Sequence, residues 1–426
     1  MVAKRGLGPA FANLFTANLA SSLGDGIARV AAPLLAARLT DDPLLISGIA
    51  ALALLPWLFF AIPAGILVDR IDRRHALALA NGVRVALAIA LFVLVATDGL
   101  TIWWLYLVIF VYGAFETVYD GAIRAIVPSI VERSDLSRSN ARIEGGELVV
   151  QNFLSGPFTS VLFAVSALIP LGVNAAVFGG ALALAFFLPK AASGGQFARP
   201  VAEAGAPWHR QFTDGYHFII RNRMLRTLWF FSTFTGIAFT AATASFVLFV
   251  LDTLRVPEVW FGFFMLSGAV GGIVGSVVAG PLKARWGTGL TVAIMTTLTG
   301  AATFAIGAMP TIAVAAAGTA VTSGAITVWN IHIMSLRQSV IPGRLLGRVH
   351  GTWRTLLWGA MPVGALLGGL LGRIDLTVPF LVGGGVAFVA SVLFFRFLMT
   401  LPNAEDVDNG DLPVGPIEPP GITPLQ

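Results

Sequence analysis

The side chains of this sequence that could do chemistry stand inside long apolar runs, where charge is unfavourable. Asn18, Ser22, Asp25 and Arg29 recur at steps of three and four, so a helix there carries them on one face. Glu116, Asp120 and Arg124 follow at steps of four, and Glu144, Glu147, Gln151 and Ser155 form a third row. A carboxylate moved from water into apolar surroundings holds its proton more tightly and can exchange it near neutral pH. Asp25, Glu116 and Glu147 are therefore the candidates for coupling to protons. Two of them also have a plainer reading as half of an ion pair, Asp25 with Arg29 and Glu147 with Arg84 or Arg142, and Asp120 reads as a gate pair with Arg124 and Arg84.

The second half of the chain is different. It offers Asn330 and His332 in one apolar run, with Arg337 near the end of that run and Arg354 in the next. His332 has the intrinsic pKa of a proton switch, although a single histidine in a helix commonly serves as a hydrogen-bonded filler. Trp229, Phe231, Phe234, Phe239, Trp329 and Trp358 read as an apolar wall for a ligand, or as ordinary packing. There is no Walker A sequence, no H-E-x-x-H and no G-x-S-x-G, so nothing equips the chain as an ATP-driven pump or a protease. With no cysteine, no Cys-based metal site can exist, and neither metal nor cofactor is expected.

The elements that must position these groups follow from composition. Of 426 residues 56% are hydrophobic and only 12% charged, against about 25% charged in a soluble domain. Mean hydropathy is +0.83. The solvent for such a surface is lipid. Apolar runs long enough to cross a bilayer fall near 11–37, 44–68, 76–96, 102–125, 141–164, 167–188, 228–251, 259–282, 288–308, 311–336, 349–371 and 378–399. Asp25 lies roughly 20 Å along the first of them from Phe11, deep in the hydrocarbon. The first run carries Asp25 and Arg29 and lacks a small-x-small cleavage site, so it reads as a spanning helix and not a cleaved leader. Alternate connectors are basic, with Arg70, Arg73 and Arg74 in one of them, while the opposite set holds only Arg38, Arg255 and Arg373. The positive-inside rule puts the basic set and both termini in the cytoplasm of a multi-pass protein of the inner (plasma) membrane. It also accounts for a pI near 10.1 without any nucleic-acid partner.

Six runs lie on each side of a polar stretch, and the halves echo each other. Gly65, Leu67 and Arg70 match Gly280, Leu282 and Arg285 at an offset of 215, and Arg124 matches Arg337 at 213. A constant offset implies a parallel repeat. The expected organisation is an all-α integral membrane protein of twelve helices in two six-helix bundles. One bundle covers 1–189; a cytoplasmic linker with an amphipathic surface helix covers 190–227. The second bundle covers 228–400, and a disordered cytoplasmic tail covers 401–426.

With these motifs in view, the chain resembles the major facilitator superfamily over nearly all of residues 10–400. GILVDRIDRR, with Gly65, Asp69, Arg70 and Arg73, is similar to the signature of the loop between its second and third helices, with Asp72 where glycine is usual. Gly156 and Pro157 are similar to its exporters' Gly-Pro motif. The stretches from Ile126 to Ala141 and from Gly343 to Gly372 resemble the drug:proton antiporters that include macrolide-efflux and enterobactin-export proteins. Ile109 stands where many antiporters have arginine, so another residue must tune the proton site. The resemblance implies no enzyme, but proton-coupled export of lipophilic, including cationic, small molecules by alternating access. Export of a specific metabolite such as a siderophore, and a sensor or scaffold without turnover, are the alternatives. It also implies that Asp69 latches the cytoplasmic face against the start of the eleventh helix.

Overall fold

The computed structural model describes residues 7–132, 135–193 and 208–407. Among these there are helices and connectors and no strand. In lipid every backbone N–H and C=O needs a partner within its own segment, and helices supply it. The spans are Pro9–Leu39, Pro43–Arg70, Arg73–Ala96 and Ile102–Ile130. The fifth runs from Leu136–Leu148 through a π segment, Val149–Leu154, into Ser155–Val165; the sixth is Leu168–Phe186. The seventh joins Arg223–Thr243 to Phe246–Thr253 across a 42° bend. The long helix Glu258–Ala308 is two spans, 258–286 and 288–308, because Gly287 turns the chain with φ 73°. Ile312–Val340, Gly343–Gly372 and Val378–Leu393 complete the twelve.

Length and apolarity alone pick out eight of these helices, or nine with the bent pair. Splitting the long helix at Gly287 adds a tenth. The first span is thinned in hydropathy by Asn18, Asp25 and Arg29, and the twelfth is short. Polar side chains open the helices by capping free N–H groups. Thr101 and Thr311 do this at the same place in the two halves, accepting from Trp104 N at 3.5 Å and Val314 N at 3.3 Å.

The apolar cores reveal how the bundles meet. At the face away from the basic connectors, here the far face, one core serves both bundles: Leu34, Ile46 and Phe163 share it with Phe249, Phe261 and Phe380. Toward the basic face the cores are separate. One contains Leu14, Leu77 and Ile126 of the first bundle, the other Leu228, Leu336 and Trp353 of the second.

The linker helix Trp208–Arg221 docks on the start of the eleventh span. Ile219 is buried there, Arg348 pairs with Asp214 at 2.9 Å, and Thr352 Oγ1 donates to the Phe212 carbonyl. In the eighth span Gly271 and Gly275 pack closely against the tenth. A Cβ on Gly271 would stand 1.9 Å from the Ala320 carbonyl oxygen.

Candidate functional site

The first bundle encloses a connected polar network at mid-membrane depth. Asp25 is the central carboxylate. Arg84 of the third span reaches it at 3.4 Å and also donates to Ser21 Oγ at 3.0 Å; the Tyr112 hydroxyl donates to the same Asp25 oxygen. The Arg84 guanidinium is fully buried, with its carbon 4.7 to 5.5 Å from the ring centres of Tyr119, Tyr112 and Phe178. A charge in such surroundings persists only when paired and solvated by protein groups. Among the described residues Arg84 Nε and Nη2 nevertheless have no hydrogen-bond partner.

A second layer lies on each side. Arg29 pairs with Glu116 at 3.4 Å. Asn18 is buried between one acceptor and one donor: its amide donates to Glu147 at 2.9 Å, and Tyr119 donates to its carbonyl at 2.8 Å. Behind Asp25, Asn174 of the sixth span donates to the Gly24 carbonyl at 2.6 Å. The expected pairings are thus redistributed. Asp25 does not pair with Arg29, because Arg84 approaches from a neighbouring helix while Arg29 points a turn away to Glu116. Glu147 accepts from Asn18 and not from an arginine. Among the described residues no ion pair joins Asp120 to Arg124 or Arg84.

This network forms one wall of a cavity of about 640 Å³ between the bundles. Asp25, Arg29, Arg84, Glu116, Asp120 and Glu147 all line it, with Arg124 and Gln151. The second bundle contributes Phe246, Phe261, Met265, Arg354 and Trp358. The Arg354 guanidinium carbon lies over two indoles, 4.2 Å from the ring centre of Trp57 and 4.5 Å from that of Trp358. The far end is sealed. Arg38 grips Glu258 with bonds of 3.1 and 2.5 Å, and Arg373 grips Asp42 with bonds of 2.8 and 2.5 Å, each pair crossing from one bundle to the other. Just inside these pairs the fifth and eighth spans nearly touch. Gly262 N donates to Ser160 Oγ at 2.7 Å, and a Cβ on Gly262 would stand 1.9 Å from the Gly156 oxygen. Gly156, with Pro157 beside it, therefore sits at the closest approach of the bundles.

Other candidates fall elsewhere. His332 is buried, and its Nε2 lies 3.1 Å from the Ala279 carbonyl within the second bundle; Asn330 is exposed outside the cavity. Of the expected aromatic wall only Trp358 reaches the cavity, while Phe231 and Trp329 pack on each other and Phe234 faces outward. Arg73 donates to the Ala125 carbonyl at 2.7 Å, tying the signature loop to the fourth span, and Arg70 is exposed. The surroundings of the Gly65, Asp69 and Arg344 side chains lie outside the described residues, so the latch expected of Asp69 does too. Sequence reasoning passed over Tyr112, Tyr119, Ser21, Asn174 and Trp57. One signal was available: three of only four tyrosines lie in the fourth span, against 31 phenylalanines in the chain, and a hydroxyl in lipid must find a partner.

Residues 14–362 match the sequence profile of the Major Facilitator Superfamily. The chain belongs to that superfamily. It is a multi-pass membrane transporter for small molecules. It is 28% identical over 385 residues to the multidrug efflux pump Tap of Mycobacterium tuberculosis, covering 85% of this chain and 87% of that protein. Macrolide efflux protein A of Enterococcus faecalis is 22% identical over 232 residues, covering 54% of this chain and 70% of its own. Among solved structures, the nucleoside transporter NupG superposes with a TM-score of 0.68 at 16% identity. A bacterial homologue of the iron transporter ferroportin in an inward-facing state gives 0.71 at 15%. The two structures match 92% and 93% of this chain and all of their own.

Proposed function

We propose that the protein is a proton-coupled secondary exporter of lipophilic small molecules, cations among them, working by alternating access. The observation that carries this reading is the placing of Asp25, Glu116 and Glu147 on one wall of a cavity that both bundles enclose. The relatives named as efflux pumps support the direction of transport. The distribution of basic connectors supports cytoplasmic termini in the plasma membrane. On that orientation the cavity is closed to the outside by the shared far-face core and its two ion pairs, and the separate cores on the basic face belong to an inward-facing state.

In this mechanism a proton arriving from outside neutralises one carboxylate of the wall. Neutralising the acidic wall favours the inward-facing state, and loss of the proton in that state restores the pair of Glu116 with Arg29. A cationic group of the substrate takes the place of that proton, and the wall resets. The test is export of a fluorescent lipophilic cation from proteoliposomes with and without a pH gradient. Asp25→Asn or Glu116→Gln should abolish gradient-driven export while the protein still folds. Full active transport by both variants would sink the assignment. Orientation is checked separately: the chain has no cysteine, so single cysteines at Asp72 and Thr97 can be labelled directly. Labelling from opposite sides, with 72 cytoplasmic, is expected.

A further inference from the structure

The cavity carries three charges without an ion-pair or hydrogen-bond partner among the described residues: Asp120, Arg354 and, at the end of the lining, Arg124. Asp25 is held by Arg84 and Tyr112, Glu116 by Arg29, and Glu147 by Asn18. Asp120 and Arg354 line the same cavity, and neither has an ion-pair or hydrogen-bond partner among the described residues. They belong to opposite bundles and lie within electrostatic range of each other without touching. Arg124, one turn beyond Asp120, is exposed at the end of the lining.

The aromatic faces matter as much. A lipophilic cation is ordinarily held over an indole or phenol ring. Here those faces are already covered by the protein's own cations: Arg84 lies over Tyr112 and Tyr119, and Arg354 over Trp57 and Trp358. A substrate cation competes there with an arginine already in place. The carboxylate left open to it is Asp120. The stacked guanidinium has its own requirement. Its N–H donors have no hydrogen-bond or ion-pair partner among the described residues, and they call for an anionic or strongly accepting oxygen.

We propose that Asp120 and Arg354 form a two-point site for amphoteric molecules, which carry a basic nitrogen and an acidic or enolic oxygen on one apolar frame. The nitrogen goes to Asp120 on the first bundle. The oxygen goes to the guanidinium of Arg354 on the second, and the frame rests against Phe246, Phe261 and Met265. Such a ligand bridges the seam between the bundles, so its binding is sensitive to their relative position. This deepens the export reading and rests on the same cavity.

Three probes with one skeleton test it: 3-(2-naphthyl)alanine, which is zwitterionic, 2-(2-naphthyl)ethylamine and 3-(2-naphthyl)propionate. Their binding to purified protein in nanodiscs is measured by calorimetry at neutral pH with no gradient. The zwitterion should bind about tenfold more tightly than either single-charge analogue, the gain of one further charge-assisted hydrogen bond. Arg354→Gln should reduce it to the level of the amine, and Asp120→Asn to the level of the propionate. Arg354→Lys, which keeps the charge but loses the planar fork, should fall between, and it gives the reading should Arg354→Gln fail to fold. Tightest binding by the amine, a zwitterion affinity unmoved by both substitutions, or no binding of any probe would overturn the proposal. No proton gradient enters this measurement. Export that ignores pH would therefore defeat the coupling mechanism and leave the ligand preference standing.

Discussion

Asp72 and Gly287 occupy the same place in the two halves, 215 residues apart, at the turn into the third and the ninth span. In the first half the turn is closed locally: Asp72 accepts from Arg74 N at 2.9 Å and pairs with the Arg74 side chain at 2.7 Å. In the second, Gly287 takes the left-handed conformation that glycine alone adopts readily. The following N–H, of Thr288, is capped from far along the chain by Asn403 Oδ1 at 2.8 Å. The arginines that follow diverge in the same way. Arg124 is exposed along the cavity, while Arg337 is buried over Trp353 at 4.3 Å and donates to His350 Nδ1 at 2.9 Å. One scaffold thus received two interiors after duplication. The first half invests in buried carboxylates and their arginines, the second in close backbone contacts and rings.

The largest effect should separate these interiors. Arg84→Gln leaves Asp25 buried without its cation and should cost about 3–5 kcal/mol, with loss of export. Arg337→Gln removes a stacked cation that has no carboxylate partner and should cost about 1 kcal/mol. Thermal unfolding of the purified variants checks this; equal losses would erase the distinction between the halves.

Next in size is the seam. Gly262→Ala drives a Cβ into the Gly156 carbonyl and should disfavour the far-closed state by about 1–3 kcal/mol. Gly180→Ala, where a Cβ meets nothing, should be neutral and serves as the control. Spin-label distances between residues 41 and 376 would lengthen in the first and stay unchanged in the second.

The smallest effect is at the far-face ion pairs. Arg373→Gln or Arg38→Gln should broaden the same distance distribution without unfolding the protein. The hydrogen bonds from Arg373 hold the Asp42 carboxyl below the usual carboxylate range. Its contribution is therefore complete above an ordinary pKa of about 4 and is lost only as pH falls through the depressed value. The distribution should stay constant from neutral to mildly acidic pH. Broadening already near pH 6 would assign far-face opening to another group.

The spans were legible because lipid leaves so few alternatives: a run of some twenty apolar residues must be a helix, and most observed ends extend the expected ones by a few residues, while the sixth and twelfth spans stop short of them. The duplication was legible in Gly65 and Gly280 for the same reason. Partners were not. Periodicity tells which residues share a face of one helix, so it joined Asp25 to Arg29. It is silent about which neighbouring helix turns toward that face, and Arg84 of the third span won the contact. The role of Arg354 was equally hidden, because Trp57 lies almost three hundred residues away in the other bundle.

The segment after the twelfth span has a consequence for the order in which the chain is built. Asn403 caps the ninth span, and Glu405 pairs with Lys283 of the eighth at 2.5 Å. A ribosome releases the first half with its corresponding turn already complete, since Asp72 precedes the helix that it caps. The second half must hold Thr288 and Lys283 open for more than a hundred residues of synthesis, until the last of the described chain emerges. The C-terminal strap is thus the final stitch of biogenesis, and a nascent protein stalled before Asn403 would present the quality-control machinery with one finished bundle and one unfastened.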